Sequence, residues 1–599
     1  MGVRRDFRGG FCTLGIGLGC TARICAMENE AIRFRGRASV DAVIRFGGWL
    51  LFALVLTNLH TQSGHGETLH VPEQFRSIQH AIDQASPGDS VLVQQGTYNE
   101  RLKMAAGVTV RSMGGDEKGE VGLTRAERTI LDGGGGDSSN LPGVQMARGS
   151  VLDGFTVTNV GNFDAPRWDK HYKTSGSQQK HELIGAPGVA GIEVDNVECQ
   201  LVNNIVHHIG YTGIAVSGRA TAGCKVLNNV CYRNMGGGIG FMDQSRGLAQ
   251  GNQCFENFYA GIGHENASPM IIENTCWNNV RAGIGISEGA CPVVMRNRCY
   301  ENRRAGIGTR TGATTRPLIE DNDCYRNGMA GIGADEEASP MIRGNRCYQN
   351  EMAGIGSRAH ASPTIVGNEC YENEMSGIGQ EGDAKPTLLN NHCHHNKLSG
   401  LGFNACDDGS CIVIGNRIVE NSKVAVGVQA GWTVTFLSNH FERTGGLPPI
   451  VMVFEGATAV FRDNVISGQG VAGVRVAGTV VMDGNRFVGK AMRPAGPPNF
   501  GVWALAGSNV TLRDNQFSKW RHAVHASEAM VNVHENRVSG FHRYAFQLQK
   551  LKPHSVISGN QVTSDNEGDA VLGGDVGSDG ANKIRVERNT LASVKSGNN

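Results

Sequence analysis

The sequence predicts an all-β solenoid, a single-stranded parallel β-helix with 22–25 residues per coil and a short capping helix at its N-terminal end. Three observations predict it. The tetrapeptide AGIG, or a close variant, ends at Gly240, Gly263, Gly285, Gly308, Gly333, Gly356, Gly379 and Gly402, in steps of 22 to 25 residues. Cysteine keeps the same beat at Cys231, Cys254, Cys276, Cys299, Cys324, Cys347, Cys370 and Cys393. Inside the unit there is no helical period, only short apolar runs broken by Gly, Asn and Pro, which is strand-and-turn punctuation. Helical repeats use longer, helix-rich units.

Each part of the unit has a physical reason. Stacked coils place equivalent positions about 4.8 Å apart, so one residue type recurs down a column. An asparagine stands two residues before each cysteine, from Asn229 to Asn391, and another three residues after, from Asn234 to Asn396. Asparagine tolerates the left-handed backbone of a turn, and its amide reaches the amide of the next coil. An aliphatic column runs through Ile271, Val294, Ile319, Ile342, Ile365 and Leu388. Downstream, Asn-x-apolar recurs from Asn416 to Asn589 with Ile, Phe, Val or Leu in the cysteine slot; upstream, Asn204 and Val206 fit. These anchors predict seventeen coils spanning about 80 Å, and GFTVTN at 154–159 is a candidate earlier coil.

The chain divides into three parts. Residues 1–65 read as an export leader: an uncharged apolar run at 47–59 follows Arg45 and the basic stretch at 33–37. The run is shorter than the roughly 18 apolar residues of a membrane span. Met27 is an alternative start, and an uncleaved anchor is the competing reading. Residues 66–100 form the cap and first coil. A helix over 77–85 presents Ile78, Ala81, Ile82 and Ala85 on one face before Pro87 and Gly88 stop it; a solenoid needs such a cover over its open end. Residues 101–599 are the repeats, interrupted by an insertion at 161–188. Lys plus Arg and Asp plus Glu both total 56, a balance that gives no general pull toward nucleic acid or anionic membrane. The expected location is secreted, periplasmic or cell-surface, with no membrane span beyond the leader.

The run PEQFRSIQHAIDQASPGDSVLVQQGTYNE at 72–100 resembles the capping start of pectin-lyase-like right-handed parallel β-helix proteins. The GIG and Asn-x-Cys units resemble the PbH1 repeats of the CASH group, which includes the periplasmic protein NosD and alginate epimerases. The resemblance covers residues 66–599 and implies fold more strongly than activity. There is neither a DPH-type motif nor an F-box segment. The resemblance implies an exported protein that binds or acts on a polysaccharide, as a lyase, epimerase or hydrolase of uronate-type glycans.

Candidate chemistry lies in four places. The cysteine column reads as a small buried apolar stack, with a NosD-like soft-metal ladder as the alternative. Cys406 and Cys411 in CDDGSC are the better disulfide candidates, while Cys199 and Cys224 merely stack. Rings directly follow the ladder cysteines at Tyr232, Phe255, Trp277, Tyr300, Tyr325, Tyr348 and Tyr371. Alternation turns them outward, either as a platform for sugar faces, with Trp277 and Tyr300 binding substrate, or as a stack that stabilises the wall.

The polar segments after each GIG line up along one edge, where function usually sits on a rigid scaffold. There His264, Glu265, Glu288, Asp335 and His360 are the candidate catalytic groups and Arg310 a candidate substrate contact. Paired carboxylates suit acid–base hydrolysis or Ca²⁺ binding; the alternative is a solvated turn edge. In the insertion, Trp168, Lys170 and His171 are candidate clamps for an acidic sugar. Two further readings stand beside the carbohydrate one: a non-enzymatic interaction scaffold, and metal handling of the NosD type.

Overall fold

A computed structural model describes residues 66–136, 140–179, 188–564, 566–575 and 584–593. The leader at 1–65 lies outside the described residues, as do Lys180, His181 and Glu182 of the insertion.

The repeat folds as its spacing demands. One coil shows the plan. Met270–Ile272 lies in sheet A, Thr275–Trp277 in sheet B and Ile284–Ser287 in sheet C. The next coil begins at Val293–Met295, paired in parallel with the first strand so that Ile271 meets Val294. Like sits on like in the other sheets: Cys276 pairs with Cys299, and Ile284 with Ile307. Sheet A holds 21 strands, about 100 Å of stack at the inter-strand spacing. That exceeds the seventeen anchors because the first coils lack the asparagine mark.

The strands alternate: in sheets A and B the central residue of three points inward, and in sheet C the first and third do. Ile271, Cys276 and Ile284 are fully buried, and one continuous core runs from Val71 to Val562. The cysteine column is part of that core, and its members are free thiols. Burial pushes the thiols of Cys254, Cys299, Cys324 and Cys393 up, so they stay protonated. In later coils Phe441, Ile466, Phe487 and Phe517 take the slot, as the sequence implies.

Two asparagine ladders hold the corners. From Asn204 to Asn589, each Nδ2 donates to the Oδ1 of the next coil, as between Asn274 and Asn297 at 3.0 Å. The second ladder runs from Asn234 to Asn421, as between Asn257 and Asn279 at 3.1 Å. Fully buried amides need such partners. Before the first ladder starts, Arg125 fills the same corner. Its guanidinium donates to Ser112 Oγ, Asp153 O and Asp153 Oδ1.

The helical pieces are local. Helix α1, Ile78–Gln84, is capped by Ser77, whose Oγ accepts from the His80 amide, and buries the apolar face expected of the lid. Helix α2, Thr124–Arg128, carries Arg125 into its corner. Helix α3, Ala165–Tyr172, lies in the insertion, with Asp164 as its N-cap. GFTVTN supplies the sheet B strand Thr156–Thr158. Among the described residues, no helix is long and apolar enough to cross a membrane.

One pairing expectation is overturned. Cys406 and Cys411 are both free thiols, not a disulfide. The expected loop extends into the strand Gly409–Ile414, whose alternation sends Cys411 into the core while Cys406 stays in the half-exposed turn. Cys199 and Cys224 do stack, with Sγ atoms 3.9 Å apart.

Candidate functional site

The outer face of sheet C is a trough of about 590 Å³. Its floor follows from the pleat. In Ile262–Glu265, Ile262 and His264 point inward, so Gly263 faces out. The second glycine of each GIG repeats that position, and the eight from Gly240 to Gly402 form a floor without side chains. Seven steps between them span about 34 Å. The turn from sheet B supplies one wall, through Tyr259, Arg281, Arg304, Met329, Met352, Met375 and Leu398. The turn toward sheet A supplies the other, through Glu265, Glu288, Arg310, Asp335, Glu336, Arg358 and Glu381.

The two glycines of each unit differ in kind. A Cβ on Gly306 would lie 2.7 Å from the Gly331 carbonyl oxygen and 3.1 Å from Cys324 Cβ. Glycine is sterically required there. A Cβ on Gly263 or Gly333 would meet nothing within 4 Å. Neither floor glycine has the left-handed backbone that favours glycine. Glycine weakens a strand, yet the space above these two positions would admit a side chain.

The walls carry an uneven charge. Arg281 lies 5.2 Å from the Tyr259 ring centre. Burial, together with Arg304 and Arg310, brings its pKa down to about 10. Burial, then Arg358 and Arg310, also lower Arg304. Neither Arg304 nor Arg310 forms an ion pair among the described residues. Arg358 differs: its Nε donates to Asp335 Oδ2 at 2.8 Å, which holds its pKa up.

The predicted residues separate. Glu265, Glu288, Arg310 and Asp335 line the trough. The His264 ring corrects the expectation of an outward edge, because strand alternation turns it into the core. It is 3% exposed and stacks on Phe241 at 5.9 Å. Its Nδ1 donates to the Gly285 carbonyl at 2.9 Å, and burial lowers its pKa to about 4. His360 sits in the turn beyond the trough, with a left-handed backbone.

Trp277 and Tyr300 lie on sheet B, around the corner from the trough. From Tyr232 through Tyr371 to His394 the rings stack with centres 4.4–5.9 Å apart and planes within 18°. Their faces cover one another, so the column offers edges rather than a platform for sugar faces.

Helix α3 packs over the corner between sheets B and C. Trp168 is buried against Met235, Phe258 and Val280, and its Nε1 donates to the Glu256 carbonyl at 2.8 Å. Tyr172 stacks on Trp168 at 4.6 Å, and Arg303 covers the Tyr172 ring at 4.5 Å. Trp168 therefore anchors the insertion, while Lys170 and His171 are among its polar groups. Burial lowers the His171 pKa, and Arg167, Arg281 and Lys170 lower it further, which ties the helix electrostatically to the Arg281 wall.

The edge carboxylates do not gather into a set of three among the described residues. Asp335 is already paired with Arg358. They do not form the oxygen cage that Ca²⁺ takes. Sequence reasoning missed the glycine floor and the arginine and methionine wall. The signal was present: strand alternation applied to GIG puts the second glycine outside.

No curated protein sequence matches the chain. Among solved structures, a mutant of the periplasmic alginate epimerase AlgG is similar at 13% identity, covering 63% of this chain and 84% of that one, with a TM-score of 0.37. A pectate lyase is similar at 15% identity, covering 55% and 74%, with a TM-score of 0.27. The catalytic unit of an alpha-1,3-glucanase from Streptomyces thermodiastaticus is similar at 11% identity, covering 75% and 70%, with a TM-score of 0.33. The family described as right-handed β-helix region matches residues 179–317, 312–441 and 434–591. With two thirds of its length so matched and its coils stacked in parallel register, the chain belongs to the right-handed β-helix family.

Proposed function

We propose that this chain is an exported protein that binds an anionic polysaccharide, of uronate type, lengthwise in the trough over sheet C. The observation that carries the reading is the floor. Glycine occupies eight successive outward strand positions, and at Gly263 and Gly333 neither backbone nor packing requires it. A linear polymer fits a smooth floor that repeats every coil. Arg304 and Arg310, without ion-pair partners among the described residues, would meet its carboxylates. Met329, Met352 and Met375 would meet its apolar faces, since methionine adapts to irregular surfaces.

A panel of immobilised acidic and neutral glycans tests the reading. The chain should retain acidic polymers, and Gly308→Leu with Gly333→Leu should abolish retention without lowering the melting temperature. Equal retention by the filled-floor variant, or none by the parent chain, rejects it.

Catalysis on the same glycan, by β-elimination or epimerisation, would use Arg281 and Arg304 as cations on the trough wall that stabilise charge developing beside the uronate carboxylate. Ultraviolet absorbance from an unsaturated product would report elimination, and solvent deuterium incorporation would report epimerisation. If neither appears, the chain is a binding scaffold.

A further inference from the structure

A second site lies on a different wall. On the outer face of sheet B, the strand His392–His394 pairs with Glu369–Tyr371, so Glu369 stands directly across from His392. Alternation puts His392 and His394 on the same outer face, with Cys393 between them in the core. One ligand atom from each of Glu369, His392 and His394 lies within 4.8 Å of the other two. Glu369 Oε1 is 3.4 Å from His394 Nε2 and 3.9 Å from His392 Nδ1. Ligands about 2.1 Å from a tetrahedral ion stand about 3.4 Å apart.

Three features hold the set in place. Arg346, the register partner of Glu369, is turned to the preceding coil, where its Nε donates to Asp323 Oδ1 at 2.7 Å. Glu369 is left facing the histidines. His394 is braced from two sides: its ring stacks on Tyr371 at 5.1 Å, and its Nδ1 shares a hydrogen bond with His395 Nδ1 at 2.8 Å. Such a bond fixes a ligand's ring and leaves Nε2 for a metal. Finally, His392 turns Nδ1 toward Glu369, while its other ring nitrogen, Nε2, is buried with no hydrogen-bond partner.

We propose that Glu369, His392 and His394 bind a first-row divalent metal ion of the Zn²⁺ class. Two imidazoles and one carboxylate select such an ion over Ca²⁺ or Mg²⁺, which prefer all-oxygen shells. Arg417 and Val419 follow the two histidines on the next coil, so the set ends at three ligands and leaves the outward positions open. The site is independent of the trough and of any glycan.

Metal binding to the full chain, stripped with chelator, tests it. Titration with Zn²⁺ should find a site that His392→Ala/His394→Ala weakens more than about a hundredfold. Glu369→Gln should weaken it less. All three side chains face outward, and unchanged circular dichroism would confirm the fold. Co²⁺ in the site should give ligand-field bands without a thiolate charge-transfer band, which separates it from the exposed Cys291 thiol. Equal affinity in the parent and the double variant, or a thiolate band that Cys291→Ser removes, overturns the assignment.

Discussion

Gly283 and Gly285 flank Ile284 on one segment of sheet C and have opposite surroundings. A methyl group on Gly283 would stand 2.7 Å from the Gly306 carbonyl oxygen; on Gly285 the nearest atom would be Ala260 Cβ at 3.5 Å. One glycine serves the stack and the other leaves the trough open.

Gly283→Ala should therefore destabilise the protein by about 1–3 kcal/mol, the cost of overpacking. Gly285→Ala should be neutral or stabilise by about 0.4–1 kcal/mol through the unfolded chain. Chemical denaturation of both variants gives the comparison, and equal losses would refute the division of labour.

Arg304→Gln should weaken binding of an acidic glycan about tenfold, the worth of one charge-assisted hydrogen bond. It should also flatten the salt dependence of binding, because one fewer charge contact is screened. Isothermal titration at two ionic strengths reads both effects. Binding of a neutral glycan, if any occurs, should not change.

Asn302 accepts from Asn279 Nδ2 at 2.9 Å and from the Asn279 amide at 3.2 Å, and donates to the Cys276 carbonyl and to Asn327 Oδ1. Asn302→Ala would orphan groups on three coils and should cost about 3 kcal/mol or more. Amide hydrogen exchange should show the loss concentrated around coils 276–327.

Acid should loosen the solenoid through its buried histidines. Burial lowers the pKa of His264 from an ordinary 6.5 to about 4, and those of His207 and His525 likewise. Between these values the unfolded chain binds the extra proton, so the stability is fully present above about pH 6.5 and is lost as pH falls toward 4. His264→Phe, matching the stacked Phe241, should make the melting temperature less dependent on pH across that window.

Gln380 has both side-chain amide atoms buried without partners. Gln380→Leu should raise stability by about 1–3 kcal/mol by removing that desolvation cost. A lowered denaturation midpoint would mean that ordered water satisfies the amide.

Much of this was legible as text. The beat of Cys276, Cys299 and Cys324 places them in register, and Asn274 bonds Asn297 as their spacing implies. The capping helix could be read from the apolar face of Ile78, Ala81 and Ile82. The candidate site was legible only in part. Glu265 and Asp335 were read onto the right edge, but His264, one residue from Glu265, points the opposite way. Trp168 looked like a sugar contact and is a buried anchor. His392 and His394 drew no notice, because their third partner, Glu369, lies a full coil away.

The sequence by itself determined the vertical order of this protein, since a strict repeat stacked in register makes matching letters touching side chains. Only the tertiary structure decided what lies side by side around each coil. That depends on where three short strands bend and which way each pleat turns, and a shift of one residue exchanges core for surface.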